Sequence, residues 1–176
     1  DQKLEYVKLG LREWTRSQQF ARDPERSFCW VAKLPGLRRR HCRDARMLDT
    51  LRLWFNGIPQ PGGNQYNTPG SLTSAIAVGM FFHEQRMQPM QVGELAAQIV
   101  SLTHGDPHAF LSAAVLAYAI TGILHEPELP LADQFRSAIS VMFHQFKETY
   151  PQAKTVAATL SAALERAQGA EPMDEV

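Results

Sequence analysis

Ser101-Leu102-Thr103-His104-Gly105-Asp106-Pro107 is the stretch that decides how this chain folds. Apolar residues at helical spacing lie on both sides of it. Val92, Leu95, Ala96, Ile99 and Leu102 come before, and an alanine-rich run from Pro107 to about Leu124 comes after. Between them, Gly105 suits the left-handed position that follows a helix, Asp106 suits an N-cap, and Pro107 suits a first helical turn. One helix ends, another begins, and His104 stands at the corner. A polar side chain held on so rigid a corner is placed to meet a ligand; the same corner also serves as a cap and nothing more.

Outward from the corner the helical period continues. Leu4, Val7, Leu11 and Trp14 mark an opening helix. Cys42, Ala45, Leu48, Leu51 and Phe55 mark a second, stopped at Asn56-Gly57 in C-cap fashion. From Gly70 to about Phe82 nearly every residue is small or apolar, which predicts a helix buried on most sides. Leu131, Phe135, Ala138, Ile139, Met142, Phe143 and Phe146 form the clearest stripe, ended before Pro151, and Val156, Leu160, Leu164 and Ala167 form the last. Residues 19–40 are irregular, and 58–69 carry too many breakers (Pro59, Pro61, Gly62, Gly63, Pro69) for anything but a loop. No window alternates as a strand does. The expectation is an all-α protein, one domain over 1–176, built as a layered helical bundle around the two most apolar helices. Ala109, Ala113, Ala114 and Ala117 would let helices approach closely.

Composition narrows the function classes. The 176 residues hold 18 basic and 18 acidic side chains, so no general attraction to nucleic acid or anionic membrane is expected. The charge is uneven: residues 1–60 hold 13 Lys/Arg against 7 Asp/Glu, with a basic face expected near Arg38, Arg39 and Arg40. Cys29 and Cys42 have neither disulfide-framework nor metal spacing, and reduced thiols in a cytoplasmic protein fit them best. No apolar run long enough to span a bilayer is read, and no signal peptide. The chain opens at Asp1 and closes on Val176 as if both ends were cut from something longer.

Chemistry concentrates in a second place, Asn64-Gln65-Tyr66-Asn67-Thr68-Pro69 running into Gly70-Ser71-Leu72-Thr73-Ser74. With Thr68 as N-cap and Pro69 at the first position, the opening backbone N–H groups would face the loop, unobstructed at Gly70. That is the physical recipe for binding an anion such as phosphate. Ser71, Thr73 and Ser74 add hydroxyls, and Asn64, Gln65, Tyr66 and Asn67 offer contacts to a sugar or base. A plain Thr-Pro helix start after a long loop satisfies the same pattern. Elsewhere the chain is quiet: His108, His125 and His144 read as isolated surface histidines, His83-Glu84 as a helix end, and no Asp/Glu/His set has metal spacing.

These segments resemble the ADP-ribosylglycohydrolase family of the dinitrogenase-reductase-activating type. Leu11 to Gln18 is similar to its aromatic helix, Thr68 to Gly79 to its glycine-bearing loop and buried helix, and Ser101 to Pro107 to its threonine-histidine corner. The resemblance implies an all-α hydrolase that cleaves the N- or O-glycosidic bond between ADP-ribose and an acceptor with two Mg²⁺ ions. Its partners would be ADP-ribose or ADP-ribosylated protein. By position it assigns Asn64, Gln65, Tyr66, Asn67, Thr68, Gly70, Ser71 and His104 to substrate binding. The family's Thr-Asp-Asp and Asp-x-Asp-Thr metal motifs do not occur here, and Thr73-Ser74 stands where the family usually has Met-Arg. The chain alone is therefore expected to be inactive, its metal ligands supplied by missing segments or a second chain. The alternative is a catalytically inactive ADP-ribose-binding or helical interaction module.

Overall fold

The structure, a computed structural model, describes residues 2–19, 33–34, 45–58 and 65–169. Seven helices account for the regular structure among them: α1 (Gln2–Gln19), α2 (Ala45–Phe55), α3 (Ser71–Glu84), α4 (Pro89–Ser101), α5 (Pro107–His125), α6 (Leu131–Phe146) and α7 (Gln152–Gly169). No strand occurs among the described residues, so the protein is all-α as expected. The chain separates into two compact units, Asp1–Tyr66 and Asn67–Val176. Cys29, Cys42, Arg38, Arg39, Arg40 and Asn64 lie outside the described residues.

In the first unit α1 packs on α2. Leu48 and Leu51 are buried along α2 as their spacing predicts. The helix ends in a Schellman motif: Gly57 takes φ +68°, its N–H bonds the Trp54 carbonyl, and the Ile58 N–H bonds that of Leu53. Asn56-Gly57 is thus the stop that the sequence announces. α1 departs from its pattern. Leu4, Val7, Leu11 and Trp14 are only half-buried, while Glu13, Thr15 and Gln18 are buried. Two of these polar groups are satisfied locally, Thr15 by the Leu11 carbonyl at 2.7 Å and Glu13 by Arg16 at 3.0 Å.

The second unit is arranged around α5, against which α3, α4, α6 and α7 all pack. Ala109, Ala113, Ala114 and Ala117 are buried on it. They make room for two neighbouring backbones. A Cβ placed on Gly79 of α3 would sit 3.0 Å from the Ala117 carbonyl, and one on Gly93 of α4 would sit 3.1 Å from that of Ala114. The glycines let helix backbones touch where any side chain would hold them apart. Thr121 spans the first contact, its hydroxyl reaching both the Gly79 and the Ala117 carbonyls, at 3.2 and 2.9 Å. Gln134 of α6 is buried against α5 and donates to the Glu126 carbonyl at 2.9 Å, a polar core position that the apolar stripe does not reveal.

Two expectations are corrected here. α3 is not buried on most sides: it turns Ala75, Val78 and Phe82 inward but leaves Ile76, Met80 and Phe81 about half exposed. Within its unit α4 and α5 are the helices that pack substantially against it among the described residues. α5, conversely, is by length and composition apolar enough to cross a membrane, which the sequence reading did not credit. Its apolar surface is the one its four neighbours cover.

Gly79→Ala should therefore destabilise the protein by about 1–3 kcal/mol, because the new methyl meets backbone that has no rotamer to yield. Gly10→Ala in the middle of α1, where a Cβ meets nothing within 4 Å, should stabilise by about 0.5–1 kcal/mol. Urea unfolding of both variants checks the opposite signs.

Candidate functional site

The α4–α5 corner begins as the last turn of α4 tightens. The Val100 carbonyl accepts the N–H groups of Thr103 and His104, at 3.0 and 2.8 Å, and the Thr103 hydroxyl at 3.2 Å. Gly105 is not left-handed: among the described glycines only Gly57 has positive φ. The helix ends at Leu102 in ordinary helical conformation, and the turn is made without the glycine's special freedom. Asp106 behaves as predicted. It is extended, its carboxylate accepts the His108 N–H at 2.8 Å, and Pro107 opens α5.

His104 is 2% exposed and lies at the centre of a short polar chain. Its Nδ1 is 2.8 Å from the Thr103 hydroxyl and its Nε2 is 3.0 Å from the Thr68 hydroxyl. The imidazole is thus held at both ring nitrogens, by the Thr103 hydroxyl on one side and the Thr68 hydroxyl on the other. A side chain from the corner thus grips the residue that leads into α3.

That grip changes how α3 starts. Thr68 is not its N-cap, because its hydroxyl is engaged by His104; Gly70 takes the position and no side chain caps it. A tight turn precedes the helix, with the N–H groups of Ser71, Leu72 and Thr73 bonded to the carbonyls of Thr68, Pro69 and Gly70 at 3.1–3.3 Å. The first helical donors are thus occupied rather than free, which narrows the anion recipe read from the sequence. Ser71 is buried and donates its hydroxyl to the Thr68 carbonyl at 2.9 Å.

The candidate residues separate by exposure. Asn67 and Gly70 are exposed, Thr68 is half-buried, and Ser71 and His104 are buried supports. Gln65 is exposed and Tyr66 half-buried; both belong to the first unit. The structure brings Thr68, Gly70, Ser71 and His104 together. The sequence reading did not single out Thr103 as the group that orients the imidazole, although a hydroxyl beside a buried histidine is a signal of that kind. Nor are the other histidines isolated: His108 Nδ1 contacts the Asp106 carboxylate at 2.9 Å, and His125 lies against His83.

No three His, Cys, Asp or Glu side chains converge among the described residues, which therefore do not fit a Mg²⁺ centre.

The chain matches the family described as ADP-ribosylglycohydrolase over residues 3–176, and it belongs to that family, a family of hydrolases. No curated protein and no solved structure matches it.

Thr68→Val should cost about 1–3 kcal/mol, since it replaces the hydroxyl that contacts the buried His104 ring by a methyl, while Thr68→Ser restores most of the loss. Urea unfolding gives both values.

Proposed function

We propose that this chain takes part in hydrolytic removal of ADP-ribose from an acceptor, with the turn 67–71 receiving the nucleotide's diphosphate and ribose. Family membership supports the reaction class, and Gly70 carries the location. Its φ of −57° and ψ of −23° are open to any residue, and a Cβ there would meet only Thr68 Oγ1 at 3.5 Å and His104 Nε2 at 3.9 Å. Neither backbone geometry nor packing demands glycine at this exposed position. A glycine there leaves room for the close approach of a ligand.

In this reading Asn67, Thr68 and Gly70 touch the ligand, and Ser71 and His104 hold them in place. The bond between the anomeric carbon of ADP-ribose and the acceptor nitrogen or oxygen breaks; water supplies the hydroxyl to that carbon and a proton to the acceptor. The described residues bind and orient. The two Mg²⁺ ions that the family resemblance implies would be held by residues other than these.

Calorimetry with ADP-ribose on the wild type and on Gly70→Ala tests the location. Gly70→Ala should keep its melting temperature and bind about tenfold more weakly, roughly 1.4 kcal/mol. Equal affinities, or no heat from the wild type, would remove the turn as the binding place.

A further inference from the structure

α3 and α5 run parallel. Gly79 meets Ala117 and Ile120, and one turn further along both helices His83 meets His125. Their C-termini therefore come together. Helix dipoles aligned this way bring two partial negative charges to one place, an unfavourable pairing for the helices and a favourable setting for a cation. Each helix places a histidine in its last turn at that end. The ring centroids are 4.6 Å apart and the planes lie at 77°. His83 Nδ1 is buried with no hydrogen-bond partner, the one such side-chain atom found among the described residues. Native structures rarely leave a buried nitrogen so.

We propose that His83 and His125 form a two-imidazole site for a divalent transition ion of the Zn²⁺, Ni²⁺ or Cu²⁺ class. With metal–nitrogen bonds of about 2.0–2.1 Å, two imidazoles on one tetrahedral ion hold their centroids about 5.2 Å apart, so the pair opens by roughly half an ångström to take the ion. Imidazole is a preferred ligand for this class of ion, and the exposed His125 is the partner free to turn its nitrogen toward the ion while His83 stays fixed. No third His, Cys, Asp or Glu joins the pair, so water completes the coordination and the ion is exchangeable. Glu84 and Glu126, exposed and next in sequence to the two histidines, deepen the local negative potential. Mg²⁺, which takes oxygen ligands, does not suit the site. The site stands apart from the nucleotide-binding reading and does not depend on it.

Calorimetry of the whole chain with ZnCl₂ and with NiCl₂ tests the site, using His125→Ala, His83→Gln and, as a control, His144→Ala. His144 is an exposed histidine whose Nδ1 is bonded to the Ser140 carbonyl. The wild type and His144→Ala should bind a single equivalent with the same affinity. His125→Ala and His83→Gln should bind about tenfold more weakly or not at all. Because His125 is exposed, its removal leaves folding intact, and Zn²⁺ should raise the melting temperature of the wild type but not of His125→Ala. Unchanged binding in His125→Ala, no binding by the wild type, or a Mg²⁺ response that disappears in His125→Ala would each overturn the proposal.

Discussion

Backbone contact between α5 and its neighbours is the constraint from which the second unit takes its form. Gly79 and Gly93 bring α3 and α4 against the carbonyls of Ala117 and Ala114 at distances a side chain forbids. Such contacts fix register as well as distance, because sliding either helix by one residue would put a larger side chain into the crossing. Thr121 adds a directional element to the first crossing by sharing its hydroxyl between the two backbones. With α3 and α4 both registered on α5, the start of α3 and the end of α4 are brought within hydrogen-bond reach. The Thr68–His104 bond at 3.0 Å is a consequence of that packing, and it then locks the turn that packing alone would leave loose.

The candidate site is accordingly built in two depths. Below are groups whose hydrogen-bonding capacity is used internally: Thr103 on Val100, His104 on Thr103 and Thr68, Ser71 on the Thr68 carbonyl. A buried chain of hydrogen bonds of this kind is rigid because its members orient one another. Above it lie Asn67 and Gly70, exposed and nearly free of side-chain bulk at the glycine. Rigid support beneath an open turn is the arrangement a binding site requires, since little order remains to be imposed when the ligand arrives.

Much of this was legible from residues, and the failures have particular causes. The helices were readable because α2, α4 and α6 bury one stripe each, and caps such as Asp106 and Asn56-Gly57 obey local rules that do not depend on the rest of the chain. α3 misled because its small and apolar composition says only that water is disfavoured, not which helices come to cover it; Ile76, Met80 and Phe81 stay open. Thr68 misled for a different reason. Locally it is a good N-cap, but a histidine 36 residues away competes for the same hydroxyl, and that competition exists only once the helices are packed. Gly105 likewise suits a left-handed turn that the tightened end of α4 makes unnecessary. His83 and His125 belong to this class too: their meeting follows from the parallel run of α3 and α5, which spacing along the chain does not encode.

α3 carries opposite chemistry at its two ends, and its length keeps them separate. Fourteen residues at a rise of about 1.5 Å place His83 about 20 Å from the turn at Gly70, so an ion at the C-terminal end does not touch the turn itself. The two places are nonetheless joined by one rigid element, held at its middle by the Gly79 contact. A shift of α3 along α5 would strain that contact before it reached Thr68, so the crossing isolates the turn from events at the far end. The close approach that registers the helices thus also separates the turn at Gly70 from the histidine end of α3.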